Sequence, residues 1–169
     1  MVFVYLETRL PLIYPAMKTT LHSFALALLL LFVSAFTLQK PASGKMLMEQ
    51  ICLTRPLLKE TLMQAGLSGV LMDTGPYTFF APSDAALGKY KNTDPGKLKT
   101  ILMSHVVAGR LLQEDFKDGS KLTTLSGKEV TVFRKGNQLL INGVRVTSGD
   151  ETAQNGVMHQ VENWLVTPN

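Results

Sequence analysis

The apolar positions of this chain recur with two different periods, and the change falls near Gly109. Before it, Leu47, Met48, Ile51 and Cys52 share helical spacing and predict a short amphipathic helix over 46–53. Thr54 is placed to cap a second helix, with Pro56 in its first turn, where a missing N–H costs nothing. Leu57, Leu58, Thr61, Leu62 and Ala65 line one face of that helix, and Gly66 stops it as a left-handed residue. A third short segment, 67–72, runs into the turn Asp73-Thr74-Gly75-Pro76. Tyr77-Thr78-Phe79-Phe80-Ala81 reads as a buried strand ended by Pro82, and Ser83 caps the helix carrying Ala85, Ala86 and Leu87. Another helix opens at Asp94-Pro95. Its apolar face is Leu98, Ile101, Leu102, His105 and Val106, at i, i+3, i+4, i+7 and i+8.

Beyond Gly109 the pattern becomes that of strands and turns. Val130 and Val132 alternate with Thr131 and Phe133, and Lys135-Gly136-Asn137-Gln138 is a hairpin turn leading into Leu139-Leu140-Ile141. Asn142-Gly143 is a second turn signal before Val144-Arg145-Val146. The two signals lie so close together that one of them could be a bulge instead of a hairpin. A last strand carries Val157, His159 and Val161 and then Trp164-Leu165-Val166, with Asn155-Gly156 shaping a tight turn before it. Helices first and strands afterwards define an α+β domain. No internal repeat is present, so the chain holds one such domain, over 45–169.

The segment ahead of it is an address. FALALLLLFVSA (24–35) is an apolar run too short to span a bilayer, preceded by Lys18 and ending in small residues. Residues 17–35 therefore read as a signal peptide, with Val33 and Ala35 at positions −3 and −1 and cleavage before Phe36. Residues 1–16 form an upstream extension with Met17 as the natural start, and 36–44 (FTLQKPASG) a linker. The expected location is secreted, periplasmic or cell-surface, with membrane attachment only if the leader stays uncleaved.

Charge and cysteine content change this picture little. The net charge is +4. Losing Glu7, Arg9 and Lys18 with the leader removes a net +1 and leaves +3, scattered along the domain. That leans toward anionic partners such as acidic polysaccharide and does not suggest nucleic-acid binding. The single cysteine, Cys52, allows no intramolecular disulfide and is expected to be packed among its apolar neighbours.

Read in order, these pieces resemble the fasciclin (FAS1) domain family. One family box, an aromatic-rich strand ending in Ala-Pro before a Ser-led helix, stands here as YTFFAPSDAAL (77–87). A second, Asn-Gly-Val-aliphatic-His, stands as NGVMHQVENWL (155–165), and MSHVVAGRL (103–111) resembles the central His-Val-Val segment. LTTLSGKEVTV (122–132) and LLINGVRV (139–146) match the intervening strands in type and order. The resemblance implies a wedge of two β-sheets packed with several α-helices. It also implies a non-enzymatic adhesion or matrix-interaction module whose partner is a surface or matrix protein or a polysaccharide. Two positions depart from the family pattern. Ser104 precedes His105 where members often carry Tyr, in a pair linked to integrin binding, and Glu151 follows Asp150 where an aliphatic residue is usual.

The candidate interaction or structural positions are Asp84, Ser104, His105, Asn155 and His159. His105 is expected to be a core histidine held by a hydrogen bond, with Asp84 or Ser83 as partner. A hydrolase built on Ser83 and His105 is the enzymatic alternative, but Ser83 lacks a Gly-x-Ser-x-Gly elbow and already has a capping role. A self-associating structural envelope protein is the other. No cofactor or metal is expected: His105 and His159 stand far apart, without the spacing of a metal site. Asp115, Asp118 and Gly119 lack the further ligands and closing Glu of a calcium loop.

Overall fold

The computed structural model describes residues 44–165, so the leader and nearly all of the linker lie outside the described residues. The helical layer opens with α1 (Leu47–Thr54), α2 (Pro56–Gln64) and α3 (Ser68–Met72). Leu58 and Leu62 are fully buried on α2, and Gly66, at φ +66°, ends that helix. Its stop is a Schellman motif: Leu67 N–H reaches Leu62 O (2.9 Å) and Gly66 N–H reaches Met63 O (3.1 Å). Two expectations fail here. The N-cap of α2 is Arg55, while the Thr54 hydroxyl donates backward to Gln50 O (2.8 Å) and closes α1. Cys52 is exposed, because the buried stripe of α1 is Leu47, Met48 and Ile51, and Cys52 turns away from it.

Strand β1 (Tyr77–Pro82) is followed by α4 (Asp84–Leu87), a 3₁₀ turn (Gly88–Tyr90) and α5 (Pro95–Met103). Ser83 and Asp94 cap α4 and α5 as their sequence positions suggest, accepting from Ala86 N–H (3.3 Å) and Lys97 N–H (3.0 Å). Helix α5 stops at Met103, three residues earlier than its apolar period, which runs to Val106, implies. Ser104 N–H and His105 N–H fold back to Ile101 O and Leu102 O (3.0 Å each), which tightens the last turn and swings Val106 into β2 (Val106–Ala108). His105 is therefore a turn residue and not a helix-face residue. Its burial comes from the strand it enters.

The remaining strands are β3 (Lys121–Thr123), β4 (Glu129–Lys135), β5 (Gln138–Ile141), β6 (Val144–Ala153) and β7 (Gly156–Val161). Their order is β2-β1-β7-β6-β5-β4-β3, with β1 and β7 parallel and every other pairing antiparallel. Both turn signals are hairpins: Gly136-Asn137 joins β4 to β5, and Asn142-Gly143, both at positive φ, joins β5 to β6. The irregularity sits elsewhere. Strand β6 slips register against β7 between Val146 and Glu151, around Asp150 at φ +60°. Strand β6 also changes partner along its length, pairing with β5 through Val144 and Arg145 and with β7 from Val146 onward. Thr124 bridges back to Val107 of β2, and Leu125 N–H donates to Val106 O (2.7 Å). The two ends of the strand order thus meet, and the sheet folds into two leaves.

Alternation in β1 separates two cores. Phe79 and Ala81 face the helices with Leu47, Ile51, Leu58 and Met158, while Phe80 faces the space between the leaves with Phe116, Val132, Ile141 and Val161. Full burial of each such Leu or Phe contributes roughly 1.5–3 kcal/mol. Since β1 and β7 are covered on both faces, they read in the sequence as nearly continuous apolar runs, as a parallel pair should. Trp164 lies beyond β7 and not within it. Its indole N–H donates to Ala86 O (2.7 Å), so the segment after the last strand packs back onto α4.

Candidate functional site

Of the residues that sequence offers for chemistry, His105 and His159 come together on either side of Phe80, while Asp84, Ser104 and Asn155 lie apart from them. His105 is fully buried. Phe80 N–H donates to His105 O (2.9 Å), and the His105 ring bonds Phe80 O through Nδ1 (2.9 Å). Leu165 N–H donates to Nε2 (3.1 Å), so Nε2 is the acceptor and Nδ1 carries the proton. Burial pushes the His105 pKa down to about 4, against the smaller opposing effect of the Phe80 hydrogen bond. The ring also meets Trp164 edge-on at 5.3 Å. The partners expected at Asp84 or Ser83 are replaced by backbone groups, because β1 and the 162–165 segment reach the ring first. Asp84 is an exposed first-turn residue of α4.

His159 is the mirror case. It pairs in register with Phe80 across the parallel ladder, stacks on the Phe80 ring at 5.8 Å and meets Phe116 edge-on at 5.3 Å. Nε2–H donates to Leu111 O (2.8 Å) and Nδ1 accepts from Asp150 N–H (3.2 Å). Burial lowers its pKa, while the Leu111 bond and the carboxylates of Asp150 and Glu151 oppose that. The left-handed residue Asp150 is held in turn by Gln113 N–H, which donates to its carboxylate (2.8 Å). Both imidazoles are thus neutral, with both nitrogens engaged.

Asn155 does more than shape a turn. Its Oδ1 accepts from Leu47 N–H (2.8 Å), and its Nδ2 donates to Leu71 O (2.9 Å) and Asp73 O (2.6 Å). One buried amide therefore caps the start of α1 and the end of α3 together. Gly156 follows because a Cβ there would overlap the Tyr77 carbonyl oxygen. Ser104 is buried with its hydroxyl on Ser126 Oγ (2.9 Å) and Thr100 O (3.3 Å), tying the end of α5 to the β3–β4 turn. Glu151, the other departure from the family pattern, forms an ion pair with Arg55 (2.9 Å), which also reaches Gln160 (3.3 Å).

This geometry leaves no room for the hydrolase. The Ser83 hydroxyl donates to Glu162 O (2.7 Å) and accepts from Ala86 N–H, and His105 has no nitrogen left to serve as its base. Among the described residues, no group of three His, Cys, Asp or Glu side chains could hold a metal ion, and no helix is long and apolar enough to cross a membrane.

Two exposed concavities lie along α2. One hollow of about 270 Å³ is lined by Leu57, Glu60, Thr61, Gln64, Leu87, Gly88, Tyr90, Lys91 and Asn92. A shallower one adjoins it over Pro56, Lys59, Glu60, Met63 and Gln64. Sequence reasoning missed both. The available signal was the polar outer stripe of α2 and the Lys89-Tyr90-Lys91-Asn92 run, which periodicity treats as mere surface.

Comparison with known proteins gives the class. The fasciclin domain model matches residues 56–167, and the chain belongs to that family. Over 117 residues, 64% of this chain and 17% of the other, it is 32% identical to transforming growth factor-beta-induced protein ig-h3 of Sus scrofa. Over 124 residues, 64% of this chain and 63% of the other, it is 32% identical to the immunogenic protein MPB70 of Mycobacterium bovis. The chain thus spans under two thirds of the length of each of these relatives. A FAS1 domain pair from the insect cell adhesion molecule fasciclin I superposes with a TM-score of 0.59 at 18% identity, covering 72% of this chain and 51% of that one. The likeness shows the fold: helices followed by a wedge of strands.

Proposed function

We propose that this chain is an exported, non-enzymatic adhesion or matrix-interaction module of the fasciclin type, whose partner is a surface or matrix protein or a polysaccharide. One observation carries the reading. Ser83, Ser104, His105, Asn155 and His159, the polar side chains best suited to chemistry, are committed to hydrogen bonds that hold backbone segments together. Contact chemistry is left to the exposed helix faces and loops. The solved relative from a cell adhesion molecule and the leader sequence at 17–35 both support this reading. The test is retention of the purified domain on cell envelope or matrix isolated from its source, washed with rising salt. Retention above that of an unrelated domain of equal charge supports the module. Passage through unretained, or labelling of Ser83 by a fluorophosphonate probe, refutes it.

A further inference from the structure

We infer that the paired hollows on α2 form a binding surface for a polysaccharide that carries uronic-acid carboxylates. The inference rests on the module reading above and names its partner. Lys91 lines one hollow and Lys59 the other, and the two hollows share Glu60 and Gln64. Lys89 is exposed on the 3₁₀ turn that Lys91 directly follows. None of these three lysines has an ion pair among the described residues. Arg55 and Arg145, by contrast, are paired with Glu151 and Glu162, and Arg110 and Arg134 are tied to backbone carbonyls. Unpaired lysines around a concavity concentrate a positive field there that an anionic polymer can neutralise.

The other lining groups decide what kind of anion fits. Glu60 lies where the hollows join, and its carboxylate repels a ligand whose whole surface is phosphate or sulfate oxygen. The same carboxylate accepts hydrogen bonds from hydroxyls, and the Gln64 and Asn92 amides can both donate and accept. Tyr90 adds an aromatic wall, held by its packing against Trp164 with ring centroids 4.6 Å apart. Leu57 and Leu87 supply apolar contact beside it. Lysines for carboxylates, Glu60 and amides for hydroxyls, and an aromatic ring for the C–H face of a pyranose together describe an acidic sugar polymer.

Affinity electrophoresis through gels containing alginate, dextran or polyphosphate tests the assignment. Alginate is expected to retard the intact domain, dextran to leave it unretarded, and polyphosphate to retard it less than alginate. K59E/K91E should weaken the apparent affinity for alginate at least tenfold with an unchanged melting temperature, whereas K117E/K135E, on the strand side, should keep it. Glu60→Ala should weaken alginate binding and strengthen polyphosphate binding. Equal retardation by dextran, stronger retardation by polyphosphate, or a K59E/K91E protein that migrates like wild type would each overturn the inference. If alginate fails to retard a protein that isolated envelope retains, the inference falls and the module reading stands; if neither holds it, both fall.

Discussion

Replacing Asn155 with Asp changes one side-chain group from a donor to an acceptor and leaves the shape almost untouched. The Oδ1 acceptor for Leu47 N–H survives, so the start of α1 keeps its cap. The Nδ2 group is replaced by an oxygen facing Leu71 O and Asp73 O, now 2.9 and 2.6 Å from a donor. The Leu71 carbonyl loses its side-chain donor in a buried setting, at about 1–3 kcal/mol, and the part-buried Asp73 carbonyl adds a smaller cost that water offsets, before any repulsion is counted. Against the ~5–15 kcal/mol that holds a typical domain together, that is a large share. Urea unfolding followed by the fluorescence of Trp164, the single tryptophan, reads this directly. The midpoint should fall with an unchanged slope. Asn155→Ala should fall as well, since it gives up the α1 cap in addition. A midpoint for Asn155→Asp within about 0.5 kcal/mol of wild type would show that the amide is not the bracket between α1, α3 and β7.

Further outcomes follow from the same structure. Since burial holds the folded-state pKa of His105 near 4 and also depresses that of His159, stability is complete above the unfolded value of 6.5 and is lost as pH falls toward 4. The His105 depression corresponds to roughly 3 kcal/mol, and His105→Gln should flatten this limb of the urea-midpoint profile; an equally steep limb would place the titration elsewhere. Gly156→Ala should abolish soluble folded protein, because the added methyl meets the Tyr77 backbone inside the β1–β7 pair, and a variant melting like wild type would contradict that close approach. Ser83→Ala should cost about 1 kcal/mol through loss of the α4 cap, with envelope retention unchanged; a loss of retention without a loss of stability would give Ser83 a role at the surface.

What could be read from the sequence was whatever short-range patterns specify. Gly66 as a helix stop, Ser83 and Asp94 as caps, and Asn142-Gly143 as a hairpin each depend on a few neighbouring residues. His105 misled for a physical reason: a turn that enters a buried strand continues the apolar spacing of the helix before it, so periodicity cannot see where α5 ends. Cys52 misled because its neighbours are apolar while its own direction on α1 points outward. The partners of His105 and Asn155 lie 60 and 108 residues away in the chain, beyond any local rule. The hollows on α2 are likewise products of packing, where a helix meets a 3₁₀ turn brought beside it by β1.

The bracket made by Asn155 also bears on when during its own synthesis this domain can fold. Leu47 begins α1 near the start of the domain, yet the group that caps it is translated 108 residues later. Tyr77 waits for Gly156 to complete the parallel pair, and the ring of His105 waits for Leu165. A chain emerging from the ribosome therefore exposes its helices and β1 without the strand that joins them, and it closes only when residues 155–165 arrive. Synthesis of residues 155–165, more than of any early helix, thus supplies the contacts on which the fold closes.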